Sequence, residues 1–187
     1  MVMSVLVKLD VDTTPNMIRK ISISSEMPSI PQGYSRWVKS NTVKQKQPGF
    51  NSVFLTLESG DVTSNQLRAI AEMAREFTAD GQIRNGFAQD MVFRWVRDED
   101  LSRLYAKLLE VGLANPGALT MASVVGCSGT TSCNLALTNS HRLAKEVQRK
   151  FIELKIDEDD DLRNSTIKIS GCPNSCGQHE IATIGFY

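Results

Sequence analysis

The 187-residue chain contains only four cysteines and two histidines, and neither sign of charge is in excess. Lys+Arg and Asp+Glu each total 21, which argues against a nucleic-acid-binding protein because such proteins carry a basic surplus. No apolar run is long enough to span a membrane, and no secretory signal or nucleotide-binding fingerprint is present. We therefore expect a cytoplasmic protein, in which cysteines serve as metal ligands or reactive thiols more often than as disulfides.

Breaks in the hydrophobic pattern divide the chain into three parts. Candidate strands lie at 2–11 and 18–24, but prolines and glycines follow them, so residues 1–48 are predicted to be an N-terminal connector. A second boundary is expected at Asn115-Pro116-Gly117. The two predicted folded parts are thus residues 49–114 and 115–187.

Residues 50–112 show the pattern of a small α+β unit. Val53, Leu55 and Leu57 alternate with other residues as in a strand, and Thr63 with Gln66 forms a capping box at the start of a helix. The apolar face of this helix is predicted to consist of Leu67, Ile70, Ala71, Ala74 and Phe77. Two strands follow, at 82–85 and 91–96. A second helix, capped by Asp98, then presents Leu101, Leu104, Tyr105 and Leu108. The order β-α-β-β-α is that of a ferredoxin-like half-unit.

The remaining part is predicted to be a β-α-β unit that carries all four cysteines. A short strand at 123–126 leads into Cys127, and a strand at 166–170 leads into Cys172. Between them a helix is expected, with Leu143, Ala144, Val147 and Phe151 on one face, and a last strand is expected at 181–186. Both cysteine loops would then lie at strand ends, where α/β folds place ligands.

The four thiols form two local pairs with the spacings Cys-x5-Cys and Cys-x3-Cys. A structural zinc site more often has two or four residues between paired cysteines, and neither common ferredoxin pattern matches. Glycine, proline and serine around the cysteines would let the backbone wrap close to a metal. The residues alone favour an iron–sulfur site and leave a zinc site, or structural or redox thiols, as alternatives.

In combination, these motifs resemble the siroheme-dependent nitrite/sulfite reductase family. The second motif, with its surroundings, is ISGCPNSCGQHEIA at 169–182. The likeness extends upstream and covers about residues 37–187, through Gly49-Phe50-Asn51, 63–77, Ile83-Arg84 with Gln89, and 98–101. These stretches fall where the family has its second ferredoxin-like repeat. The resemblance implies a ferredoxin-like half-repeat followed by an α/β [4Fe–4S] domain that is incomplete at its C-terminus.

The resemblance also implies a cofactor set and a reaction. A [4Fe–4S] cluster would be held by Cys127, Cys133, Cys172 and Cys176. Cys176 would also bridge to the siroheme iron as its axial ligand. The implied reaction is the six-electron reduction of nitrite to ammonia or of sulfite to sulfide, with electrons from ferredoxin or a reductase subunit. The alternative is a non-catalytic four-cysteine iron–sulfur or zinc module.

The resemblance implies three further siroheme residues by position in the family motifs: Gln89 matches a glutamine on the siroheme side, and Asn174 and Ala136 match residues beside the macrocycle. Because siroheme carries carboxylates, Arg84 is a candidate charge partner for them and a candidate catalytic residue.

Some positions depart from the family pattern, which usually has threonine near Gly86 and a polar or basic residue at Ala88. Only one ferredoxin-like repeat is present. We therefore expect a fragment whose missing half lies on the same or another chain. The first cysteine motif resembles nitrite-type members more than sulfite-type ones.

Overall fold

The structure is a computed structural model that describes residues 31–187, so the strands expected at 2–11 and 18–24 lie outside the described residues. The helices and strands of the described part are, in chain order, α1 (Tyr34–Asn41), β1 (Thr42–Lys44), β2 (Phe50–Leu55), α2 (Ser64–Phe77), β3 (Ile83–Asn85), β4 (Met91–Arg97), α3 (Leu101–Glu110), β5 (Val125–Gly126), α4 (Ser140–Glu153), β6 (Ile167–Ile169) and β7 (Ile184–Phe186). The predicted order β-α-β-β-α is therefore observed in β2 to α3.

The first sheet has four antiparallel strands in the order β1-β2-β4-β3. The alternation along β2 is confirmed, because Val53 and Leu55 are fully buried and Leu57 lies in the same core. Helix α2 begins with the predicted capping box: Thr63 Oγ1 accepts from Gln66 N at 3.2 Å, and Gln66 Oε1 accepts from Thr63 N at 3.0 Å.

Two details of these helices differ from the prediction. On α2 the buried stripe is rotated, so that Met73 is buried while the side chain of Leu67 is 45% exposed. Helix α3 buries the four predicted residues but begins at Leu101. Asp98 lies in a preceding 3₁₀ turn, where its carboxylate accepts from Asn51 at 2.8 Å and pairs with Lys44, so it does not cap the helix.

The segment before residue 49 differs from the predicted connector where the structure describes it. Helix α1 places Trp37 in the first core with no exposed surface, where its ring packs 5.0 Å from that of Tyr105. Strand β1 extends the sheet by pairing with β2. Aromatic burial and strand pairing stabilise α1 and β1, although α1 has no side-chain cap at Gly33.

The second sheet is parallel, with the order β5-β6-β7. Helix α4 covers one face and buries Ala144 against Ile167 and Ile169 in a second core. The predicted apolar face of α4 is only partly correct, because Leu143 is 45% exposed, whereas Val147 and Phe151 pack against the core. None of the helices between residues 31 and 187 combines the length and the apolar character of a membrane span.

Buried polar contacts join the two sheets and their helices. Asn41 Oδ1 accepts from Gly117 N at 3.0 Å, and Gln148 Nε2 on α4 donates to Leu57 O at 3.3 Å. Arg36 on α1 forms two bonds to Asp157, whose side chain has no exposed surface. The predicted division near residue 115 therefore lies within a well-connected structure, and it stays a prediction.

Candidate metal centre at the two cysteine loops

Both cysteine loops begin at the same edge of the second sheet. Cys127 directly follows β5, and Cys172 follows β6 after Ser170 and Gly171. Strands β5 and β6 are parallel and in register at Gly126 and Ile169, so their carboxyl ends meet there. Both cysteine loops therefore begin at strand ends and start close to each other.

The loops touch through two glycines. Gly171 O accepts hydrogen bonds from Leu137 N at 2.8 Å and Thr138 N at 3.1 Å. A Cβ atom on Gly171 would lie 3.0 Å from Gly129 Cα, and Gly129 itself has a φ of +53°. A Cβ atom on Gly129 would lie 2.7 Å from Ser140 N, so glycine is required there, whereas at Gly171 a side chain would be tightly packed between the two loops.

The sulfur of Cys127 lies where the loops meet. Its Sγ accepts from Gly171 N at 3.1 Å and lies 3.1 Å from Ser140 Oγ, at the start of α4. Burial raises the pKa of the Cys127 thiol, but hydrogen bonds from Ser140 and from the N–H groups of Gly129 and Gly171 outweigh it, so the pKa lies below its ordinary value. This environment favours the thiolate, the form that binds metals.

The second loop is held by a serine–histidine network. Ser170 Oγ accepts from Gly177 N at 3.1 Å and lies 2.9 Å from His179 Nδ1. The same ring nitrogen lies 3.2 Å from Ser175 Oγ, next to Cys176. Ser175 adopts a φ of +60°, a strained value for a residue with a side chain, so the hydrogen bonds hold the loop in an unusual conformation.

The four thiols differ in exposure. Cys127, Cys133 and Cys172 are half-buried, whereas Cys176 is exposed. Within the described part of the chain, no three His, Cys, Asp or Glu side chains lie close enough together to hold a metal ion. The structure thus brings the two loops into contact without closing their sulfurs around a single-ion site.

Some of the other predicted site residues lie within these loops, and the others lie on or next to strand β3 of the first sheet. Gln89, in the turn between β3 and β4, hydrogen-bonds to Gly126, immediately before Cys127. Asn174 is exposed and Ala136 half-buried, each within one of the loops. Arg84 lies on β3 and pairs with Asp80 at 2.8 Å, while its Nη1 is buried with no hydrogen-bond partner.

A cavity of about 220 Å³ lies beside β5. Its wall includes the buried residue Asp90, and Arg163 and Lys168 also line it. Burial raises the pKa of Asp90 above its ordinary value, despite opposing hydrogen bonds from backbone N–H groups, and its Oδ1 has no hydrogen-bond partner in the described structure. The β3–β4 turn therefore borders both this cavity and the first cysteine loop.

Two serines contribute to the loops but were not found from the sequence. Ser140 Oγ lies within hydrogen-bond distance of both Cys127 O, at 3.0 Å, and the Cys127 sulfur, and Ser170 organises the second loop. Ser140 follows the helix cap Asn139, and Ser170 precedes Gly171. Serine is common at both kinds of position, so neither had a distinguishing signal.

Comparison with a family model gives a match over residues 43–111 to the nitrite/sulfite reductase ferredoxin-like half domain. The ferredoxin–nitrite reductase of Synechococcus elongatus is 31% identical over 141 residues, which are 75% of this chain and 27% of that protein. The sulfite reductase [ferredoxin] of Mycobacterium tuberculosis H37Rv is 29% identical over 148 residues, 77% of this chain and 26% of that one. The chain thus spans about a quarter of the length of these relatives.

Solved structures give the same result. The NirA protein of Mycobacterium tuberculosis superposes with a TM-score of 0.61 at 28% identity, over 78% of this chain and 27% of that one. Dissimilatory sulfite reductase I superposes with a TM-score of 0.56 at 16% identity, over 72% of this chain and 31% of that chain, a likeness of fold alone. The resemblance inferred from the cysteine motifs is confirmed by these matches.

Proposed function

Since the chain belongs to the nitrite/sulfite reductase family, we propose that it binds a [4Fe–4S] cluster as part of a siroheme-dependent nitrite or sulfite reductase. The proposed cluster ligands are the four cysteines, Cys127, Cys133, Cys172 and Cys176. The observation that carries the proposal is the position of the Cys127 sulfur, which accepts Gly171 N–H at the junction of the two loops.

The donor chemistry at this junction fits a cluster. Thiolate sulfurs that ligate iron are tuned by hydrogen bonds from nearby N–H groups. Cys127 has such a bond from Gly171, and its lowered pKa favours the thiolate. Glycines at 129 and 171 leave no side chain between the loops. The chain would therefore present sulfur ligands in an environment that stabilises their charged form.

Two features fit the additional role proposed for Cys176. Its side chain is exposed, whereas the other three cysteines are half-buried, so its sulfur is accessible to a second group. Asn174, in the same loop, is also exposed. Siroheme would supply an iron at which the substrate is reduced by six electrons, and Cys176 would hold that iron next to the cluster.

Arg84 is the proposed partner of a siroheme carboxylate. Its Nη2 pairs with Asp80, and its buried Nη1 has no hydrogen-bond partner among the described residues, so one guanidinium donor is unpaired there. Ala136 and Gln89 complete the proposed siroheme side: Ala136 offers only a methyl group in the first loop, and Gln89 positions the backbone that precedes it. A role for Arg84 in catalysis would require that its charge also act on the anionic substrate.

We propose ferredoxin as the electron donor, with a reductase subunit as the other possible source. The relatives' names pair ferredoxin with both nitrite and sulfite, and the first cysteine motif favours nitrite as the substrate. The remaining half of the siroheme site would come from a region that corresponds to the part of the relatives this chain does not match, on the same or another chain. A cytoplasmic location is part of the same proposal.

Anaerobic purification followed by iron, sulfide and zinc assays tests the cluster. We expect iron and acid-labile sulfide in equal amounts, with a siroheme absorption band near the red end of the spectrum when the rest of the reductase is present. Iron and sulfide without that band, although the rest of the reductase is present, would indicate a non-catalytic iron–sulfur module. Zinc alone would contradict both the reductase and the iron–sulfur module, and would support the zinc alternative.

The bridging role of Cys176 has a separate test. With reduced methyl viologen as the donor, nitrite or sulfite reduction should be lost in Cys176→Ser. Ser132→Ala, in the first loop, is the matched control and should retain the activity. Ser132 is exposed, and its hydrogen bond uses the backbone N–H, which the substitution leaves in place. Full activity of Cys176→Ser would refute the bridge.

A further inference from the structure

We infer that Gln89 is a positioning residue that holds the backbone before Cys127 through two hydrogen bonds. Its Nε2 donates to Gly126 O at 2.7 Å, and its Oε1 accepts from Gly126 N at 3.0 Å. The side-chain amide therefore pairs with one residue in the way that a neighbouring strand would. This contact links residues that are 37 positions apart in the chain.

The geometry of β5 explains why this amide is needed. Strand β5 is an outer strand of the second sheet and, among the described strands, pairs only with β6, to which Cys127 N donates through Ile169 O at 3.0 Å. Successive residues of a strand direct their hydrogen-bonding groups to opposite sides, so those of Gly126 point away from β6. Gly126 is buried, and without Gln89 both of its backbone groups would lose their partner.

Gly126 is also fixed from a third direction. A Cβ atom on Gly126 would lie 2.6 Å from Ala144 Cβ and 3.2 Å from Ser140 O, so α4 packs directly on this residue. Strand β6 and α4 belong to the same unit as Gly126. Gln89 is thus the contact at Gly126 that comes from the first sheet, and it joins that sheet to the start of the first cysteine loop.

Strain at Gln89 supports a positioning role. Its φ is +57°, a region that residues with side chains rarely adopt. The facing turn at Gly60 has a φ of +78°, and a Cβ atom there would lie 3.2 Å from Gln89 Cβ. The close packing of Gly60 and the two bonds to Gly126 together hold this conformation, which directs the amide toward the loop.

Hydrogen exchange in the metal-free chain tests the contact directly. Gln89→Met keeps the length and the positive φ but removes both hydrogen bonds, so the Gly126 amide should exchange about tenfold faster, measured by NMR. Gln89→Glu keeps an acceptor for Gly126 N–H, so the exchange rate of the Gly126 amide should fall between those of the wild type and Gln89→Met. The control Thr63→Ala removes a helix cap in the first unit and should leave Gly126 unchanged. Unchanged exchange in Gln89→Met, or an equal rise in Thr63→Ala, would overturn the inference.

The consequence for the cluster rests on the proposed function. In the reconstituted chain, Gln89→Met should lose iron and sulfide in air about tenfold faster than wild type, because the backbone before Cys127 is less well held. If wild type takes up no cluster, the proposed function fails while the exchange measurement still decides the role of Gln89. If wild type loads and Gln89→Met retains its cluster equally well, the inference fails while the proposed function stands.

Discussion

The pair Arg36–Asp157 is predicted to stabilise the contact between α1 and the second core. Arg36 Nε and Nη2 lie 2.8 Å and 2.5 Å from the two carboxylate oxygens of Asp157, and Nη2 also donates to Ile152 O at 2.8 Å. The Asp157 side chain has no exposed surface, whereas that of Arg36 is 24% exposed. The hydrogen bond to Asp157 raises the pKa of Arg36 above its ordinary value, so the guanidinium remains charged.

The magnitude follows from this geometry. A hydrogen bond to a charged group contributes about 1.5–3 kcal/mol, and Asp157→Asn replaces one acceptor by a donor that faces the guanidinium. Glu158, at 3.2 Å from Arg36 Nε, would retain part of the attraction. We therefore expect Asp157→Asn to lower the free energy of unfolding by about 2 kcal/mol, which at a urea slope of about 2.5 kcal/mol/M moves the midpoint by about 0.8 M.

A double-mutant cycle with Arg36→Met separates the pair from the burial of each side chain. The matched control is Lys150–Glu153, a pair at 3.0 Å whose side chains are 64% and 56% exposed, for which the coupling should be below about 0.5 kcal/mol. A coupling between Arg36 and Asp157 no larger than that of the control would refute this explanation of how α1 is held.

Three further changes have defined outcomes. Gly129→Ala should cost about 2 kcal/mol or more, because the added Cβ would lie 2.7 Å from Ser140 N at a φ of +53°; an unchanged urea midpoint would contradict this. Asp90→Asn should stabilise the chain at pH 7, because burial raises the pKa of Asp90 in the folded state. In the wild type, the stability that the protonated carboxyl contributes at low pH is lost as pH rises from about 3.9, the unfolded pKa, through the folded value. Unfolding measured from pH 3 to 8 should show a flatter profile in the variant, and parallel profiles would exclude this cause. Thr63→Ala should cost about 1 kcal/mol and lower the melting temperature by about 3 °C, whereas an unchanged melting temperature would contradict the capping box.

Local signals predicted most of the first unit. The capping box at Thr63 and Gln66 and the apolar face of α3 depend on residues within one or two turns of each other, so they are readable in a short window. The strands that end in the cysteine loops were found for the same reason. The exact buried stripe of α2 was not, because the choice between Leu67 and Met73 depends on how the helix lies on the sheet.

Helix α1 was missed although a signal was present. Tyr34, Trp37 and Val38 recur at the spacing of an amphipathic helix, but the nearby Pro31 and Gly33 indicate a turn. With eight residues and no side-chain cap, α1 depends on tertiary contacts, above all on Trp37 in the core. A short segment stabilised by distant partners cannot be assigned from its own propensity.

Family resemblance identified the ligand cysteines as candidates, whereas the residues that position them depend on pairings between distant segments. Ser140 reaches the Cys127 sulfur across 13 positions, and Gln89 reaches Gly126 across 37. Both are ordinary polar residues in turns or at helix starts, where such residues are common. The family motif singles out Gln89 but not its bonds to Gly126, and nothing in the sequence singles out Ser140, so both contacts are visible only in the folded arrangement.

The contacts that position Cys127 come from both sides of the predicted boundary at residue 115. Gly171 and Ser140 belong to the second unit, and Gln89 belongs to the first. Asn41 and Gln148 add buried bonds between the same two units. Because a loop with little secondary structure takes its position from what it contacts, loss of the Gln89 contact from the first unit should change the position of Cys127. The ferredoxin-like sheet is therefore part of the support of the candidate metal centre, and separating the two units at residue 115 should weaken metal binding even with all four cysteines present.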